Sequence, residues 1–120
     1  MEKRLEQALD YSNFRLVLAT RQENLKVLLK NRLILTYAGG FFDVDINLIS
    51  FLATLINTDR TEFVFIDKND VPILVTNLYD FFEQCMEKYE DAIYKYHTAY
   101  EKLQEAREIR KVLDWDGTKE

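Results

Sequence analysis

Leu33-Ile34-Leu35-Thr36-Tyr37-Ala38-Gly39-Gly40-Phe41-Phe42-Asp43-Val44-Asp45-Ile46 is the stretch that decides the fold. Leu33, Leu35 and Tyr37 alternate with Ile34, Thr36 and Ala38; Phe42, Val44 and Ile46 alternate with Phe41, Asp43 and Asp45. A period of two places successive side chains on opposite faces of a strand. Between the runs lie Gly39 and Gly40, and the tight turns of hairpins need positive φ, which glycine adopts without steric cost. The stretch predicts a β-hairpin over 33–46 with Gly39 and Gly40 as its turn. Asp43 and Asp45 share one face, which meets solvent or a cationic partner.

Upstream, residues 2–32 contain neither Gly nor Pro and are rich in Leu, Lys, Arg, Glu and Gln. These side chains lose little rotamer freedom in a helix, so a long helix is predicted. Its seam is Tyr11, Phe14, Leu18, Leu25 and Leu28, with Leu5 and Leu9 extending an apolar stripe toward the start. Downstream, Asp45 or Asn47 can cap a short helix over 47–57 whose apolar residues Leu48, Ile49, Phe51, Leu52, Leu55 and Ile56 recur at helical spacing. A turn at Thr58-Asp59-Arg60-Thr61 follows. A second hairpin spans 62–76, joined by Asp67-Lys68-Asn69-Asp70, and Pro72, which cannot donate to a ladder, belongs at a strand start or on an edge.

From Asn77, a good cap with Asp80 in the first turn, nothing breaks a helix until about Leu113. Leu78, Phe82, Cys85, Tyr89, Ala92, Tyr96, Ala99, Leu103 and Ala106 step by four and three along it, a heptad seam that predicts a helix interface. Small residues alternate with large ones, which lets a partner helix approach closely. The tail 114–120 is predicted to fray, with Trp115 docking back onto the body.

The predicted fold class is therefore α+β. Two long helices (about 2–32 and 77–113) flank two β-hairpins (33–46, 62–76) and a short helix (47–57), giving a small, strongly bent antiparallel sheet or partial barrel. The 120 residues are one domain's worth of chain, 48% apolar, 31% charged and 13% aromatic. Such a composition supports a core and excludes a disordered tail. The single domain 1–120 is expected to have a β-rich core over 33–76, a helical pair from 1–32 and 77–113, and a tail.

Net charge is −5, unevenly spread. Residues 1–32 hold seven Lys/Arg against four Asp/Glu, whereas 33–76 hold two against six and 77–120 seven against eleven. Only the first helix offers the clustered cations that displace counterions from a phosphate backbone, so nucleic acid is disfavoured. The charged start Met1-Glu2-Lys3-Arg4 leads into no signal-length apolar run, and no stretch reaches the roughly 18 apolar residues of a membrane span. A cytoplasmic protein without a membrane role is expected.

Chemistry is sparse. Cys85 and His97 are the sole cysteine and histidine, so one chain can make neither an internal disulfide nor a Cys/His zinc site. Cys85 on the seam reads as a small buried hydrophobe and His97 as a solvated side chain. Asp67-Lys68-Asn69-Asp70 begins like a calcium loop but lacks its glycine and its closing glutamate, so it reads as a turn. Tyr89, Tyr94, Tyr96 and Tyr100 read as core or interface rather than a base-stacking platform. No nucleophile and base, cofactor loop or metal set stands out. The expectation is a non-enzymatic protein without cofactor or metal.

The order helix, hairpin, short helix, hairpin, helix, with Glu62–Asp67 and Val71–Val75 entering Asn77-Leu78, resembles the alpha-type prefoldin subunit. That resemblance implies paired terminal helices and hairpins that assemble a shared barrel. Tyr37-Ala38-Gly39-Gly40-Phe41-Phe42 with Leu48–Leu52, Phe65-Ile66-Asp67 and Val71-Pro72-Ile73 resembles small proteins of marine tailed phages, including cyanophages, for which a likeness to the Sm/LSm RNA-binding barrel has been suggested. It implies a phage origin, a small bent sheet and ring assembly, and it supplies no catalytic residue. An Asp-x-x-Met-Asn type of RNA loop is absent here.

Two hairpins and one short helix make a modest core, and their strands leave edges that copies of the chain can close. The leading expectation is thus a homo-oligomeric protein-binding or assembly module. The alternative is an Sm-like RNA binder using Lys3, Arg4, Arg15, Arg21, Lys26, Lys30 and Arg32 with Phe41.

Overall fold

The structure is a computed structural model that describes residues 2–118, with side chains through Glu108. The order of elements is α1 (Glu2–Arg32), β1 (Ile34–Tyr37), β2 (Gly40–Asp43), α2 (Ile46–Asn57), β3 (Phe63–Ile66), β4 (Pro72–Val75) and α3 (Leu78–Thr118). The predicted α+β architecture is observed. Among the described residues the four strands form two separate two-stranded ladders, β1-β2 and β3-β4, and no barrel closes.

The chain divides into two compact units, one of residues 1–27 with 96–120 and one of residues 28–95. The boundary cuts both long helices. Contacts along a helix are local, and what separates the units is which residues gather a core around them.

In the 28–95 unit the first hairpin pairs Tyr37 with Gly40 and Thr36 with Phe41. Its turn is Ala38-Gly39, at φ 51° and 83°, instead of the expected Gly39-Gly40. Both turn positions are left-handed, as a primed two-residue turn demands, and only one of them is glycine. Gly40 is the buried first residue of β2, and a Cβ there would stand 2.7 Å from Ile73 Cγ1. Its lack of a side chain serves the approach of the two hairpins.

Asp45 caps α2, accepting from Leu48 N–H at 2.7 Å. That helix ends with Asp59 in the left-handed region at φ 62°, while Arg60 N–H reaches back to the carbonyl of Leu55 at 3.1 Å. Asn77 caps α3 through the amide of Asp80 at 3.1 Å. Pro72 opens β4, as expected of a residue that cannot donate.

The core gathers Phe42, Val44, Leu52, Leu55, Phe65, Val75, Leu78, Phe81 and Cys85. Phe81 stands at its centre, with ring centroids 4.7 Å from Tyr37, 5.0 Å from Phe42 and 5.4 Å from Phe65. The burial stripe Leu78, Phe81, Cys85 lies one residue beside the expected seam, and Phe82 is half-buried at its flank.

In the other unit no residue of α1 is fully buried. Phe14, Leu18 and Leu25 of α1 and Tyr96, Ala99, Tyr100 and Leu103 of α3 are half-buried, and Tyr96 stacks on Tyr100 at 6.2 Å. Helix α3 continues through 114–118, where a frayed tail was expected; Gly117, the poorest helix former of that segment, stands only at its penultimate position. The docking of Trp115 concerns a side chain outside the described residues.

Candidate functional site

The two hairpins share no ladder, yet one carboxylate joins them. Asp67 is the buried acidic residue at the β3-β4 turn. Its Oδ1 accepts from the amides of Asn69 and Val71, both at 2.9 Å, and its Oδ2 accepts from the amide of Phe41 on β2 at 3.1 Å. Lys68 N–H donates to the Phe41 carbonyl at 2.7 Å, and Lys68 Nζ lies 3.7 Å from Asp43. These amides hold the Asp67 carboxyl below its ordinary range, that of Phe41 contributing most, then Val71 and Asn69, against an opposing effect of burial. The expected hairpin turn is thus present, and its aspartate is also the clamp between hairpins. An aspartate opening a tight turn, two residues ahead of an amide it can cap, is the sequence signal that could have found this.

A second polar link ties the first hairpin to α3. Tyr37 Oη donates to Asp80 Oδ2 at 2.8 Å, and Gln84 Nε2 donates to the same oxygen at 3.1 Å. Burial first, then the bond to and charge of Asp80, push the Tyr37 phenol up to about 12.

With the hairpins fixed inward, their outward faces are set. Phe63, Phe65, Ile73 and Val75 point to the core, so Val64, Ile66, Pro72 and Leu74 point away. A hairpin covered on one face carries polar residues on the other. Here the outer face is apolar as well: Val64 is 51% exposed, Ile66 70%, Leu74 52% and the neighbouring Val71 47%. Phe41 and Phe51 are exposed to a similar degree, and Phe51 packs edge-on against Phe63 at 5.4 Å.

The seam expected as a helix interface is distributed differently. Leu78 and Cys85 belong to the chain's own core, Phe82 and Tyr89 pack against it, and Ala92 is fully buried. Leu78, Cys85 and Ala92 are thus turned into the chain's own fold, while Phe82 and Tyr89 keep part of their surface exposed. Ala99, Leu103 and Ala106 line an open groove with Arg21, Asn24 and Leu25 of α1, and Tyr96 is half-buried.

The remaining candidates are placed apart from one another. Cys85 is buried, which pushes its thiol up to about 12. His97 is exposed, 3.2 Å from Glu101 on the same helix turn. Asp45 is spent on its cap and Asp43 lies by Lys68. Among the described residues no group of three or more His, Cys, Asp and Glu could hold a metal ion, and no helix is long and apolar enough to cross a membrane.

Of the cations assigned to the RNA alternative, Arg15 lies over the Tyr11 ring at 5.9 Å and Lys26 pairs with Glu23 at 3.3 Å. The open groove beside Leu35 on α3 is lined by Glu87, Glu90 and Asp91 with Lys88, Gln84 and Tyr94. Such a lining repels a polyanion. No protein-family model, no curated protein and no solved structure matches the chain.

Proposed function

We propose that the chain is a non-enzymatic assembly module that binds protein and associates with copies of itself. The observation that carries this reading is the outer face of β3-β4, where Val64, Ile66 and Leu74 stand about half exposed or more. Every Å² of apolar surface removed from water contributes about 25 cal/mol, so an uncovered face of this kind favours a partner. The phage setting implied by the resemblance of the Tyr37–Phe42 and Phe65–Ile73 stretches belongs to the same proposal.

The test is solution mass by light scattering across a salt series, followed on the same sample by titration with fluorescent single-stranded RNA. An oligomer that ignores RNA supports the module. RNA affinity that falls steeply with salt would overturn it in favour of the Sm-like binder.

A further inference from the structure

An antiparallel ladder alternates pairs that exchange backbone hydrogen bonds with pairs whose N–H and C=O groups point outward. In the second hairpin Asp67 N–H donates to the Val71 carbonyl at 3.0 Å, which fixes the alternation. Phe65 with Ile73 and Phe63 with Val75 are bonded pairs; Val64 with Leu74 and Ile66 with Pro72 are outward pairs. On β4 one of the two outward residues is Pro72, which has no N–H, so that edge is blunted there, while Leu74 keeps its outward groups. On β3 the outward groups of Val64 and Ile66 find no partner among the described residues.

We propose that β3 pairs antiparallel with β3 of a second copy, about a twofold axis at Phe65. This rests on the assembly reading above and names its surface. Val64 of one copy then exchanges hydrogen bonds with Ile66 of the other, and the reverse, producing a four-stranded sheet β4-β3-β3-β4. Only registers that set outward residues against outward residues are allowed, and the charges flanking the strand choose among them. The strand itself is Phe63–Ile66, and the charges lie in the segments on either side of it. A register centred on Phe65 brings the Glu62 flank of one copy toward the Lys68 flank of the other, whereas a shift to Val64 brings Arg60 toward Lys68 and a shift to Ile66 brings Glu62 toward Asp70. Both alternatives oppose like charges, which disfavours them. The other free edge, Ile34 and Thr36 of β1, has Arg32 and Ala38 at the corresponding flanks and no such complement. The apolar outer face gains as well, because Val64 and Ile66 become cross-strand neighbours of their counterparts.

The proposed register is tested by disulfide trapping. Val64 and Ile66 of opposite copies form a bonded pair with Cα atoms about 5.5 Å apart, inside the range a disulfide spans. Equivalent residues of the two copies are diagonal neighbours at roughly 7–8 Å, beyond it. An equal mixture of Val64→Cys and Ile66→Cys chains should therefore trap several-fold more covalent dimer than either variant alone. Native Cys85 is buried and does not interfere. Trapping no greater in the mixture would overturn the register.

Light scattering supplies the second arm. Val64→Pro removes an outward N–H without taking a bond from the hairpin's own ladder, and should yield a folded monomer from a dimeric parent. Glu62→Lys and Lys68→Glu should each weaken the dimer, and the double reversal should restore it. A dimer that survives Val64→Pro and gives no selective trapping overturns edge pairing while leaving the assembly module standing on another surface. A parent that is monomeric at every concentration overturns both the edge pairing and the self-association behind it.

Discussion

Replacing Gly40 by alanine tests the closeness of the two hairpins more sharply than any larger change. The added Cβ would stand 2.7 Å from Ile73 Cγ1, 3.1 Å from Ile73 Cδ1 and 3.2 Å from Phe42 Cε2. Cγ1 sits at the branch of a β-branched side chain held by the β4 ladder, so it cannot rotate away cheaply. Overpacking a core costs about 1–3 kcal/mol. Gly→Ala returns about 0.4–1 kcal/mol by reducing the freedom of the unfolded chain. A net loss of about 1–2 kcal/mol is expected, read in urea denaturation as a lower midpoint with an unchanged slope. Ile73→Ala deletes both clashing atoms, so the double variant should cost less than the sum of the singles by about 1 kcal/mol or more. Gly39→Ala is the control: its φ of +83° makes it strained, yet nothing lies within 4 Å of its Cβ, so its cost should add to that of Ile73→Ala. Additivity of Gly40→Ala with Ile73→Ala within about 0.5 kcal/mol would refute the close approach.

Two pH-dependent predictions follow from the polar links. Asp67 has its carboxyl depressed in the folded chain, so its contribution is present above the unfolded value of about 3.9 and lost as pH falls through the folded one. Asp67→Asn turns an amide group toward the N–H of Phe41 or of Asn69 and Val71; the urea midpoint should drop at neutral pH and its acid decline should flatten. An unaltered acid decline would show that the clamp does not titrate. Tyr37 holds its proton more tightly folded than unfolded, its phenol being pushed up to about 12 by burial and then by Asp80. Its contribution is full below about pH 10 and lost as pH rises toward 12. Tyr37→Phe should remove that part of the alkaline loss of stability, and parallel alkaline declines in the two proteins would contradict the assignment.

Much of this was legible in the residues because it is written in local periods. The switch from a period near 3.6 to a period of two at Leu33, the caps at Asp45 and Asn77, and Pro72 at a strand start each depend on a few neighbouring side chains. What escaped depends on partners distant in sequence. Gly40 reads as half of a turn until Ile73, thirty-three residues on, is seen against it. The heptad pattern locates an apolar face on α3 but not what covers it, and the hairpins drew the core toward Phe81, one residue off the seam. Asp67 reads only as a turn residue in the sequence because its decisive contact, accepting from the Phe41 amide, lies on another hairpin. The outer face of β3-β4 was hidden for a related reason. Phe63-Val64-Phe65-Ile66 is apolar throughout, and alternation cannot be read where both faces are alike.

Pro72 limits how far any joining of hairpins can go. A strand that offers bonding groups on both flanks polymerises, since every addition leaves a fresh end as reactive as the last. With the proline ring on one flank, this hairpin accepts a neighbour less readily there than on the other. Edgewise growth is thereby discouraged at β4, and a chain that leaves so much greasy surface uncovered carries one guard against running on into a fibre.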